Sequence, residues 1–166
     1  MTLRLVPLGA DADTGELAAR LAPGFGGDPS GAREILVQTV EFLAREPRPD
    51  PWGSYLAYAG ETAVATGAFK SAPDEAGTVE IAYMTFPAFE GKGHARAMVP
   101  ALTSMALEHG ALLVVAHTLP EENASNRALR SSGFAFAGEV SDPEDGLIWR
   151  WEKSSSASAG ESSRER

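Results

Sequence analysis

The chain contains no cysteine. That absence rules out disulfides, thiolate nucleophiles, cysteine-based zinc sites and iron–sulfur clusters together. It also lacks a long apolar run. The longest candidate, Ala111–Ala116, is strand-sized, far short of the ~20 residues of a membrane span. The N-terminal MTLRLVPLGADADTG has no basic segment followed by an apolar stretch, so no signal peptide is expected and the cytoplasm is the expected address. Basic residues are in the minority: 14 Lys and Arg against 23 Asp and Glu leave a net charge of −9. Such a surface repels nucleic-acid phosphates and argues against a nucleic-acid partner. It attracts cationic partners, amines included, although an acidic surface also serves plain solubility. At 166 residues the chain is the size of one domain and can bury a core without covalent staples.

Glycine and proline punctuate what remains. Leu3–Leu8 reads as a short strand. Thr14 caps a first helix over Gly15–Leu21, and the loop Pro23–Ser30 follows. Ala32–Arg45 has apolar residues Leu36, Val40 and Leu43 at helical spacing, and Pro47, Pro49 and Pro51 end it. Ser54–Ala59 and Thr62–Lys70 flank the hairpin turn Gly60-Glu61, and Thr78–Phe86 is a third strand. A long helix is expected over Lys92–His109, bent at Pro100. Ala111–Leu119 is an apolar strand, Ser125–Ser132 a short helix, and Phe134–Val140 with Leu147–Glu152 a closing hairpin around Ser141–Gly146. This order predicts an α/β single domain over 1–153, with a mixed, twisted sheet of about seven strands and helices on both faces. Residues 154–166, SSSASAGESSRER, hold no large apolar residue and are expected to be a disordered tail.

Residues 79–117 form a strand–helix–strand unit, and ligands of such units gather beyond the carboxyl ends of the strands. The turn there is Glu90-Gly91-Lys92-Gly93-His94-Ala95-Arg96. Its glycines let a ligand approach the backbone, the amides of Gly91 to Arg96 point out of a helix start, and Lys92 and Arg96 add positive charge. A pyrophosphate fits that description. A glycine turn before a helix is by itself weak evidence, and neither a Walker loop nor a dinucleotide fingerprint is present.

The flanking residues are more specific. The run VEIAYMTFPAFEGKGHA resembles the fourth strand and acetyl-CoA loop of the GNAT N-acetyltransferase family. HTLPEENASNRALRSSGF is similar to its fifth-strand end and following helix, and DPEDGLIWRWE to its last hairpin, most of all in the ribosomal-protein-acetyltransferase-like branch. The resemblance implies acetyl-CoA as co-substrate, with the amides of Gly91, Lys92, Gly93, His94, Ala95 and Arg96 on its pyrophosphate. It implies that Tyr83, Met84 and Thr85 pair with the pantetheine as an added strand. It further implies a cofactor contact from the post-loop helix, for which Asn123, Ser125 and Asn126 are candidates. Asn123 and Ser125 serve equally well as helix caps. Glu90 departs from the loop pattern, and Leu129 stands where relatives carry a tyrosine acid. His94 is expected to be exposed.

For the chemistry, Glu80 is the candidate base, with its pKa raised by apolar neighbours. The Met84 amide is the candidate oxyanion donor by resemblance. Tyr83, Ser125 or His117 is left to supply a proton, His117 having a structural role as its alternative. The acceptor pocket is expected between Pro23–Ser30 with Phe25, the approach to Trp52, and the acidic loop 141–146. The expected function is transfer of an acetyl group to a primary amine on a small molecule, amino acid or peptide N-terminus. A non-catalytic acetyl-CoA-binding module and a carrier of other acyl chains are the alternatives. The C-terminal hairpin offers an edge for a homodimer.

Overall fold

A computed structural model describes residues 2–155. Seven strands form one sheet: β1 (Arg4–Leu8), β2 (Ser54–Ala59), β3 (Thr62–Phe69), β4 (Thr78–Thr85), β5 (Leu113–Thr118), β6 (Ala135–Asp142) and β7 (Gly146–Ser154), in the order β1-β2-β3-β4-β5-β7-β6. Every neighbouring pair is antiparallel except β4–β5. The helices are α1 (Thr14–Leu21), α2 (Pro29–Arg45), α3 (His94–Glu108) and α4 (Ala124–Ser131). α3 is the crossover that allows β4 and β5 to run parallel.

Two apolar clusters hold the helices to the sheet. On one side Ala18, Leu21, Ala32 and Leu36 from α1 and α2 meet Leu8, Leu56 and Phe86. On the other, Met98, Val99 and Leu102 of α3 and Leu129 of α4 join Val79, Ile81, Val114, Ala116 and Trp151. Each side chain of Leu or Phe size fully buried here contributes about 1.5–3 kcal/mol. α3 sits so close to β3 that a Cβ at Gly67 would lie 3.0 Å from the Met98 sulfur.

Element ends shift for identifiable reasons. Asp13, not Thr14, caps α1, and Asp28 caps α2 three residues earlier than the periodicity predicts, with Pro29 in the first turn. Gly93 has φ +85°, outside the helix, so α3 begins at His94 and not Lys92. Pro100 is exposed and α3 continues through it unbroken. The closing hairpin is longer than expected, because Asp142 pairs with Gly146 and Ser154 with Leu113. β7 therefore extends one residue past the expected domain end at 153; the rest of the expected tail, 156–166, lies outside the described residues. Among the described residues no helix is long and apolar enough to cross a membrane.

Candidate active site

The parallel ladder between β4 and β5 is short. It runs from Thr78↔Leu113 to Ile81↔Ala116 and stops. Beyond it β4 stays with β3 through Ala65↔Thr85, while β5 stays with β7 through Thr118↔Trp149. The two strands part in the middle of the sheet.

Strand parity decides which groups look into the parting. Lys70 N–H donates to the Glu80 carbonyl, and Phe86 N–H to the Val64 carbonyl, both at 2.9 Å. The β3–β4 register between these bonds has no shift, so Glu80, Ala82, Met84 and Phe86 turn their backbone groups to β3. Tyr83 and Thr85 turn theirs to the open side. This corrects the expectation for Met84: its amide is committed to β3 and cannot serve an oxyanion. Met84 contributes instead its side chain, 39% exposed, to the cavity wall.

A cavity of 660 Å³ opens where the strands part. It is lined by Tyr83, Met84 and Thr85, by the loop Glu90, Gly91, Gly93 to Arg96, and by Ala124, Ser125 and Arg127. Gly91 and Gly93 hold φ of +77° and +85°, with open space where a Cβ would stand. Arg96 and Arg127 supply positive charge, and Glu90 is the one carboxylate in the wall. Lys92 is not in the wall; its ammonium lies 6.0 Å from the Phe89 ring centre. Two buried polar atoms of the wall have no hydrogen-bond partner among the described residues, the Tyr83 hydroxyl and His94 Nδ1. Burial raises the Tyr83 pKa, so the phenol stays protonated. Glycine amides, a helix start, two arginines and orphaned polar groups together fit a diphosphate with a polar chain attached.

His94 is buried, at 7% exposure, and not exposed as expected. Its burial, and secondarily the charge of Lys92, push its pKa down. The unfolded chain, with His near the ordinary value of about 6.5, therefore takes up the proton first as pH falls. Stability held above about pH 6.5 is lost on acidification. We expect the drop in Tm between about pH 7.5 and pH 5.5 to be smaller in His94→Gln than in the wild type. Equal drops would remove His94 as the titrating group.

A second cavity, of 410 Å³, is lined by Lys70, Glu80, His117 to Leu119, Val140 to Asp142, Asp145 and Ile148. Side chains alternate along a strand. Val79, Ile81, Val114 and Ala116 face α3 and α4, so Glu80 and His117 emerge on the opposite face. Glu80 Oε2 receives Lys70 Nζ at 3.2 Å and His117 Nδ1 at 3.0 Å. The Glu80 carboxylate thus sits in a polar cavity between two basic groups, not among the apolar neighbours that flank it in sequence. The structure brings Glu80 and His117 together but puts them in a different cavity from the glycine loop.

Three expectations fail for packing reasons. Asn126 is fully buried and saturated: its Oδ1 accepts from Thr118 Oγ1 and from Trp151 Nε1 (2.9 Å), and its Nδ2 donates to the Leu119 and Glu121 carbonyls. It has nothing left for a cofactor. Asn123 caps α4 by accepting from the Asn126 N–H at 2.9 Å and does not line the cavity. Of the three candidates in that helix only Ser125 does. Phe25 packs on Phe86, and Trp52 packs edge-on against Phe69; neither lines the glycine-loop cavity or the Glu80 cavity. The part of that expectation that falls on a cavity is Ser141, Asp142 and Asp145. Sequence reasoning missed Lys70 and Arg127. Their only signal was charge, which does not place a residue.

The family model described as "Acetyltransferase (GNAT) domain" matches residues 3–135. No curated protein matches the chain. Solved structures with the same fold include the ribosomal L7/L12 alpha-N-protein acetyltransferase RimL in complex with coenzyme A, 16% identical, covering 95% of this chain and 96% of that one, TM-score 0.66. The microcin C7 self-immunity acetyltransferase MccE, in complex with acetyl-CoA and AMP, is 15% identical over 92% of each chain, TM-score 0.68. The aminoglycoside acetyltransferase AAC(6')-Ib, in complex with coenzyme A, is 18% identical over 96% of this chain and 97% of that one, TM-score 0.66. The chain belongs to the GNAT acetyltransferase family, and it is an acetyl-CoA-dependent N-acyltransferase with the predicted seven-stranded α/β fold.

Proposed function

We propose that acetyl-CoA enters from the glycine-loop cavity, that a primary amine enters from the Glu80 cavity, and that the amine attacks the thioester directly where β4 and β5 part. The observation that carries this reading is the parting itself, with one cavity rich in amides and arginines and another built around a carboxylate.

Acetyl-CoA supplies an activated acyl carbon with a thiolate as leaving group. The loop Gly91 to Arg96 and Arg127 hold its diphosphate, and the open carbonyl of Tyr83 and the open backbone groups of Thr85 pair with the pantetheine amides. Tyr83 N–H is the donor aimed at the carbonyl oxygen, the role the Met84 amide cannot take. Glu80 accepts the proton of the attacking ammonium, with His117 holding its Oε2. The protonated Tyr83 hydroxyl, buried beside Ser125, gives a proton to the departing sulfur. It takes the place of the acid that Leu129, fully buried in the core, does not provide.

Coenzyme A is expected to raise Tm measurably. A ligand at a hundred times its Kd stabilises by about 2.7 kcal/mol, which is several degrees for a domain of this size. No shift at millimolar coenzyme A would overturn the reading. A shift with no thiol release across a panel of primary amines would replace it with a non-catalytic acetyl-CoA-binding module. A cytoplasmic address, and a homodimer through the edge strand β6 with its 52%-exposed Phe136, belong to the same proposal.

A further inference from the structure

Lys70 follows β3 directly, and its N–H bond to the Glu80 carbonyl (2.9 Å) fixes its stem beside Glu80. Its ammonium then reaches Glu80 Oε2 at 3.2 Å, the oxygen that His117 Nδ1 also meets; neither contact uses Oε1. The Lys70 side chain is 60% exposed and the Glu80 side chain 26%. The lysine can swing into solvent at little cost while the carboxylate stays where it is. In the same cavity wall stand Asp142 and Asp145. Asp142 is ionised, its carboxyl held below the usual range chiefly by the Asp145 and Glu144 amides, with Lys70 and His117 adding to the effect. The cavity therefore offers three carboxylates against one lysine ammonium, His117 apart.

The seat at Glu80 already holds a primary ammonium on an unbranched methylene chain. An α-amino acid would bring a carboxylate into this anionic cavity, whereas a second cation would be welcome there. We infer that the acceptor is an α,ω-diamine: its reacting end takes the seat of the Lys70 ammonium at Glu80, its far end is received by Asp142 and Asp145, and Lys70 is an internal competitor for that seat. This rests on the acetyl-transfer reading of Glu80. In the step, the ammonium gives one proton to Glu80, the freed amine forms the N–C bond, and the C–S bond breaks with its electron pair on sulfur; the sulfur takes the Tyr83 hydroxyl proton, the nitrogen loses its second proton to solvent, and solvent restores Tyr83 and takes the proton from Glu80.

The test compares 1,5-diaminopentane, pentylamine and glycine as acceptors for the full chain with acetyl-CoA, following thiol release. The diamine should exceed both others in kcat/KM. Lys70→Met, which keeps the stem and removes the charge, should lower the KM for the diamine up to about fivefold, the size of one exposed ion pair. Coenzyme A thermal shifts report that each variant is folded, and Lys70→Gln stands in should the Met variant fail. A diamine KM unmoved or raised in the folded variant would overturn the role of Lys70, and a preference for glycine would overturn the diamine. Absence of turnover with every amine would instead sink the acetyl-transfer reading beneath both.

Discussion

Glu80→Gln is expected to lower kcat by about 10²–10³, within the range that a positioned general base contributes. Glutamine keeps the shape of the side chain and can still meet His117, but it cannot accept the proton that an alkylammonium must lose before its nitrogen carries a lone pair. Coenzyme A affinity should stay within about twofold, because Glu80 lines a different cavity from the glycine loop proposed to hold the diphosphate. The separation of the two effects is the point of the experiment: steady-state kinetics give kcat, and calorimetric titration with coenzyme A gives Kd. Unchanged turnover would remove Glu80 from the mechanism. A comparable loss of coenzyme A binding would show that the substitution disturbed the parting of the strands and not the proton transfer.

Gly93→Val should do the reverse. Gly93 sits at φ +85°, a conformation that costs a non-glycine residue about 1–2 kcal/mol and a β-branched one more. Its missing Cβ faces open space in the cavity, on the path by which the proposed diphosphate would approach the amides. A valine there adds strain and bulk at the same place. We expect Kd for coenzyme A to rise at least about tenfold, equivalent to about 1.4 kcal/mol, with a smaller change in kcat at saturation. Gly93→Ala should fall between, since it carries the strain with less bulk. Tight binding by the valine variant would mean that the ligand does not approach the backbone at this turn.

Much of this architecture was legible in the residues. Pro47, Pro49 and Pro51 after α2, Gly60 in the first hairpin and Gly110 after α3 break the chain into elements whose order is that of the fold. The loop Glu90–Arg96 was legible because glycine spacing and a helix start are local features. What stayed hidden depends on contacts between distant segments. Met84 was credited with a free amide because strand parity comes from the β3–β4 register, which a single strand does not carry. His94 looked like a loop residue, yet the first turn of α3 folds it inward. Asn126 had the local look of a ligand contact; its four bonds join β5, β7 and the chain before α4. Lys70 meets Glu80 only because the two strands lie side by side.

The Asn126 hub has a consequence for how the protein meets its ligand. Thr118 ends β5 on the side that has lost β4, and it is secured there by Asn126 and by Trp151, whose Nε1 lies 3.2 Å from Thr118 Oγ1. The wedge is thus propped open from inside by a buried, hydrogen-bonded cluster of the chain's own side chains. Docking should then resemble a key entering a rigid lock, with backbone shifts below about 1 Å and little ordering left for the guest to impose.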